Sequence, residues 1–180
     1  VANAVSIRGL EDAIYSWVKA RVSVKTNIIF EKENAPRPPN PLVSINLITG
    51  PIKYGHDEII RIDDTSYKSD GHRKITASIK SYGVDYLQVM TDLQASLNLL
   101  SVRDIFRSKN ISFLHADDIK DISAKIETGF ENRAVLDVFF GLRTSLVEEV
   151  EYIESAEIDP TIENPEEEDL GLPPFTVTGI

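Results

Sequence analysis

The sequence predicts an α+β fold, a mostly antiparallel β-sheet with helices packed on one face, and three observations lead there. Apolar side chains alternate at period two along residues 42–48, 73–82 and 132–144. They recur at helical spacing along residues 6–21 and 85–100. The strand-like runs follow one another without the regular strand–helix alternation that builds a parallel sheet. The 180 residues, 42% hydrophobic and 27% charged, suffice for one ordinary core, and no internal repeat is present.

In chain order, Ile7, Leu10, Ile14, Trp17 and Val18 form one stripe of an amphipathic helix whose other face is charged. Residues 26–30 are a short β-branched and aromatic run, read as a strand. Four prolines then fall within six residues, at Pro36, Pro38, Pro39 and Pro41. Each fixes φ near −65° and removes a backbone donor, so this is a stiff, polyproline II-like strap and not a flexible linker. Residues 42–48 follow directly as a half-buried strand, with Val43, Ile45 and Leu47 on one face. Residues 58–62 and 73–82 continue the strand pattern, and Asp70-Gly71 predicts a turn between them.

Asp85 with Gln88 predicts a capping-box start for a second helix, along which Leu87, Met90, Leu93, Leu97 and Leu100 form a stripe. A short helical piece over residues 102–109 stops at Asn110, a residue that tolerates the left-handed conformation, and residues 111–114 read as a small strand. Residues 132–144 are the clearest strand, with Ala134, Leu136, Val138, Phe140 and Leu142 on one face. Residues 147–158 are the last predicted strand, studded with Glu148, Glu149, Glu151, Glu154 and Glu157, acids that repel one another unless they line solvent.

The net charge of −10 is unevenly placed. Residues 1–143 hold all 19 Lys and Arg against 18 Asp and Glu, whereas residues 144–180 hold 11 acids and no base. The body lacks the basic excess that neutralises phosphates, which disfavours sequence-specific DNA binding. One domain with a tail is therefore expected, residues 1–158 as the α+β domain and residues 159–180 as an extended acidic arm. The arm reads either as a solvated tail or as a docking segment, and Leu170, Leu172, Phe175, Val177 and Ile180 favour docking. No stretch approaches the roughly 20 apolar residues of a membrane helix, and residues 1–10 do not read as a signal peptide.

Chemistry is sparsely written. The chain has no cysteine, which excludes disulfides and thiolate catalysis and fits a cytosolic product. His56, His72 and His115 do not fall at metal-ligand spacing, and Asp63-Asp64 and Asp117-Asp118 sit in turn-like stretches where acids cap turns and helices. No phosphate-binding glycine loop or nucleophile elbow occurs. Neither a catalytic residue nor a cofactor or metal site is expected. Arg37, held among prolines, reads either as a pre-positioned bidentate partner for a carboxylate or as a solvated loop residue.

Asn34-Ala-Pro-Arg-Pro-Pro-Asn-Pro41 running into an alternating strand, the later Leu-striped helix, and Phe130-Glu-Asn-Arg-Ala-Val-Leu-Asp137 opening a long strand resemble the tailed-bacteriophage neck or tail terminator family. The resemblance spans residues 7–158. It implies a tail-terminator-like fold and a virion structural protein without enzymatic activity, assembled in the host cytoplasm. It implies a hexameric ring that caps the tail tube, meets the head connector or adaptor proteins, and leaves a channel for DNA. Under that expectation Pro36, Arg37, Pro38, Pro39 and Pro41, with the apolar residues of the arm, are interface candidates. Glu148, Glu149, Glu151, Glu154 and Glu157 are candidates for the channel wall. The alternatives are a head-completion or connector protein of the neck, or a small α+β ligand-binding domain or enzyme using Asp63, Asp64, His56 and His72.

Overall fold

The computed structural model describes residues 6–149 except 33, 35, 127 and 128. The predicted strand beyond residue 149 and the predicted arm lie outside the described residues. Helix α1 (Ile7–Arg21) begins where the Ser6 hydroxyl accepts from the Gly9 N–H at 3.0 Å, and its last turn carries Lys19 and Arg21, which suit the negative helix end. It buries Leu10, Ala13, Ile14, Trp17 and Val18, the predicted stripe but for Ile7, which is partly buried at the rim.

Strands β1 (Asn27–Phe30), β2 (Leu42–Leu47), β3 (Ile52–Lys53), β4 (Glu58–Arg61) and β5 (Ser66–Tyr82) follow. Then come helices α2 (Tyr86–Ser96) and α3 (Leu100–Arg107), and strands β6 (Ile111–Ala116), β7 (Lys120–Asp121), β8 (Ala124–Ile126), β9 (Gly129–Glu131) and β10 (Arg133–Glu149). The main sheet runs β1-β2-β5-β10-β6, while β3 and β4 extend the β2 side of β5 and β7 pairs with β10. Strands β8 and β9 form a separate hairpin. All pairings are antiparallel except β1 with β2, so the predicted fold class holds.

One face of the sheet supplies Val43, Ile45, Ile75, Ala77, Ile79, Ala134, Leu136, Val138 and Phe140, packed with the buried faces of the three helices into one cluster. At its centre Trp17 meets Phe106 edge-on, with ring centroids 5.9 Å apart, and Phe106 lies 4.9 Å from Phe140. The indole N–H donates to the Ser96 hydroxyl at 2.8 Å, so this buried polar group has its partner.

Several local expectations are corrected. Asp70-Gly71 is no turn: both residues lie inside the 17-residue strand β5, and the chain reverses instead at Asp63–Ser66. Asp85 stands at the N-cap of α2 without a side-chain cap bond, and the Gln88 side-chain amide donates to Asp92 at 2.8 Å and not back to Asp85, so no capping box forms. Residues 147–149 complete the 17-residue β10 and begin no new strand. Phe130 and Glu131 belong to β9, with Asn132 interrupting the path into β10. Asn110 does adopt the left-handed conformation at φ 56°.

Candidate assembly surfaces

The strap is explained by the one parallel pairing. Neighbouring parallel strands need a crossover, usually a helix, to carry the chain back. Here the described residues between β1 and β2 form no helix, and the prolines stiffen a segment whose Arg37 lies over Tyr82, a residue on the β5 face opposite Ile75, Ala77 and Ile79. The downstream end is fastened by the Asn27 N–H donating to Pro41 O at 3.0 Å and the Asn27 side-chain amide donating to Pro39 O at 2.8 Å. The Asn40–Pro41 bond is cis.

Arg37 fixes the middle of the strap. Its guanidinium lies 2.7 Å from Glu131 Oε1 and 4.4 Å from the centre of the Tyr82 ring, tying strap, β9 and β5 together. Of the two readings of Arg37, the structure shows the carboxylate partner, and that partner lies within the same chain. Pro36, Pro39 and Pro41 are exposed and Pro38 half-buried. The strap lines two clefts, one of about 570 Å³ whose walls include Asn40, Pro41, Tyr86 and Phe130, and one of about 350 Å³ that includes Pro36, Arg37, Leu42 and Ser44.

A second surface lies at the far end of β5 and β10. Past Leu142 the two strands continue with β4 beside them, and among the described residues no helix covers this three-stranded extension. Ile59 is 74% exposed, Leu146 49% and Val147 43%. Two carboxylates brace its base. Asp57 accepts from Arg73 at 2.6 and 3.0 Å and meets Lys53 at 3.1 Å, so its carboxyl is lowered to about 2 by the Arg73 hydrogen bonds first and Lys53 second. Asp70 is likewise lowered to about 2, chiefly by the bond from Arg143 at 2.6 Å, with Lys68 3.0 Å away. Gly71 leaves room beside them, since a Cβ there would strike the Asp57 carboxylate in its present place.

Of the acidic candidates, Glu148 and Glu149 lie exposed at the end of β10. Glu151, Glu154, Glu157, Leu170, Leu172, Phe175, Val177 and Ile180 lie outside the described residues. The acids considered for catalysis are used locally: Asp63 Oδ1 accepts from the N–H groups of Thr65 and Ser66 at 2.9 and 2.7 Å, and Asp64 pairs with Arg61 at 2.6 Å. Among the described residues no group of three or more His, Asp or Glu could hold a metal ion, and no helix is long and apolar enough to cross a membrane.

A braced strap and strand edges that have no partner among the described residues both offer preformed surface to another chain. The model of the phage neck terminator protein family matches residues 8–166, and the chain belongs to that family. It is a structural protein of the phage virion. No curated protein matches the chain.

Proposed function

We propose that six copies of the chain close into a ring that caps the tail tube and joins the tail to the head connector, leaving a channel for the genome. The family match over residues 8–166 carries this reading. In it the protein acts without catalysis, and its partners are the tail tube protein and the connector or adaptor proteins of the neck. A closed ring needs two different patches on each subunit, one docking on the other. The strap and the end of β10 are two such patches, on different parts of the sheet.

The exposed rings of Pro36, Pro39 and Pro41 then lie at a subunit boundary with Pro38 beneath them, and the N–H groups Arg37 does not use on Glu131 reach the neighbour. Leu170, Leu172, Phe175, Val177 and Ile180 dock on another subunit. The end of β10 and the segment after it, with Glu148, Glu149, Glu151, Glu154 and Glu157, line the channel, where acids repel phosphates and keep DNA moving without sequence-specific contacts. Negative-stain images of the purified protein test the reading. Sixfold rings are expected, twelvefold rings point to a connector protein of the neck, and a monomer at assembly concentrations overturns it.

A further inference from the structure

The extension beyond the core ends in two strand edges that have no partner among the described residues. One is the outer edge of β4. The other is the outer edge of β10 past Leu142, where β6 stops. Unpaired edges are templates for another strand, and proteins ordinarily blunt or cover them.

The hydrogen-bonding phase of each edge follows from its neighbours. The Ile62 N–H donates to Ser66 O at 2.9 Å, so the even residues of β4 face β5, and Ile59 and Arg61 turn their backbone groups outward. On β10, Asp137 O accepts from the Asp117 N–H and Arg133 O from the Ile122 N–H, each at 2.9 Å. Odd residues of β10 therefore face away from β5, which leaves Ser145, Val147 and Glu149 outward at the free end.

Side chains fall into rows across the three strands: Ile59–Ser69–Leu146 and Arg61–Tyr67–Glu148 on one face, Ile60–Lys68–Val147 on the other. Strands β4 and β10 run in the same direction, both being antiparallel to β5. If a second copy is placed beside the first at the same level, its β10 meets β4 in parallel. A parallel ladder joins an outward residue to the two residues flanking the one opposite it. Ile59 then bonds to Ser145 and Val147 of the second copy and lies opposite Leu146, while Arg61 bonds to Val147 and Glu149 and lies opposite Glu148. Backbone phase, apolar pairing and charge all agree at this single register. Shifting by one residue sets outward groups against inward ones.

We infer that β4 of one copy pairs in parallel with β10 of the next, with Ile59 opposite Leu146, Ile60 opposite Val147 and Arg61 opposite Glu148. Arg61 keeps donors for this contact besides those bonded to Asp63 O and to the Asp64 carboxylate. The contact is heterologous, so it propagates around a ring, and it rests on the self-assembly proposed above.

The chain's lack of cysteine allows a direct test by oxidative cross-linking of the full-length double variant Ile59→Cys/Leu146→Cys. Within one chain these positions lie on either side of β5, about 9.5 Å apart at two strand spacings, too far for a disulfide. A denaturing gel should show a ladder ending at six linked chains, whereas either single variant loses every species above dimer. Sixfold particles without a ladder overturn the register and leave the ring standing. A ladder from particles of another symmetry supports the register and overturns the hexamer. A chain that stays monomeric, folded by circular dichroism and unlinked, overturns both.

Discussion

Arg37 reaches Glu131 at 2.7 Å while its guanidinium lies over the Tyr82 ring, so one side chain fastens the proline strap both to β9 and to the central strand β5. Glu131 is only 12% exposed, and Arg133 is its other basic neighbour, at 3.9 Å. Arg37→Ala should cost about 1 kcal/mol of stability, the sum expected of one half-exposed ion pair and one exposed cation–π contact. Thermal unfolding measures that cost. The same variant should lower the oligomer mass in light scattering while the fold persists, and an unchanged mass would count against the strap as a boundary.

Trp17 is the chain's one tryptophan and is fully buried between α2, α3 and the sheet, which makes its fluorescence a reporter of the core. Trp17→Ala should destabilise by about 3–5 kcal/mol through the cavity left against Phe106. Trp17→Phe should cost less, since the ring contact is largely kept and the Ser96 hydroxyl still donates to Leu93 O at 2.7 Å. Denaturant unfolding followed by circular dichroism ranks the two, and equal losses would contradict this account of the centre.

The core was legible because burial imposes a period. Val43 and Ile45, Ile75 to Ile79, and Ala134 to Leu142 fall on the helix-facing side, as their alternation predicts. The β1–β2 crossover was not legible, because a parallel pair normally announces itself by an intervening helix and here a proline strap replaces it. Asp70-Gly71 misled because local turn chemistry was outweighed by pairing along the whole of β5 and β10, with Gly71 leaving room beside Asp57. The link between Arg37 and Glu131 joins residues far apart in sequence. Only the stiffness around Arg37 hinted that it had a fixed partner.

Gly71 gives that last explanation a test of its own. Gly71→Ala places a methyl group where the Asp57 carboxylate sits, and Asp57 can swing aside because it lies on a partly exposed loop. The fold should survive with only a small loss of stability, because an ion pair near the surface contributes little. The specific signature is the Asp57 carboxyl, which should return from about 2 toward its ordinary 3.8 once separated from Arg73. Carbon-detected NMR titration reads this directly. A carboxyl still near 2 in the variant would mean that Gly71 does not act by making room for the pair.

Acid should loosen the β4–β5–β10 extension before the core. Asp57 and Asp70 are both lowered to about 2, by hydrogen bonds from Arg73 and Arg143 respectively. A carboxyl held lower in the folded chain than in the unfolded one stabilises the fold fully above its unfolded value, near 4. That stabilisation fades as pH falls from about 4 and is gone once pH passes below about 2. The two acids brace the base of the extension, whereas the core beneath the helices is built of apolar side chains. Amide exchange across residues 66–70 and 143–149 should therefore quicken between pH 4 and 2, after correction for intrinsic rates, while residues 75–79 and 134–140 stay protected. Asp70→Asn should remove the part of this pH dependence due to Asp70, leaving the part due to Asp57. Uniform loss of protection across both sets would show that these pairs hold the whole sheet and not its extension alone.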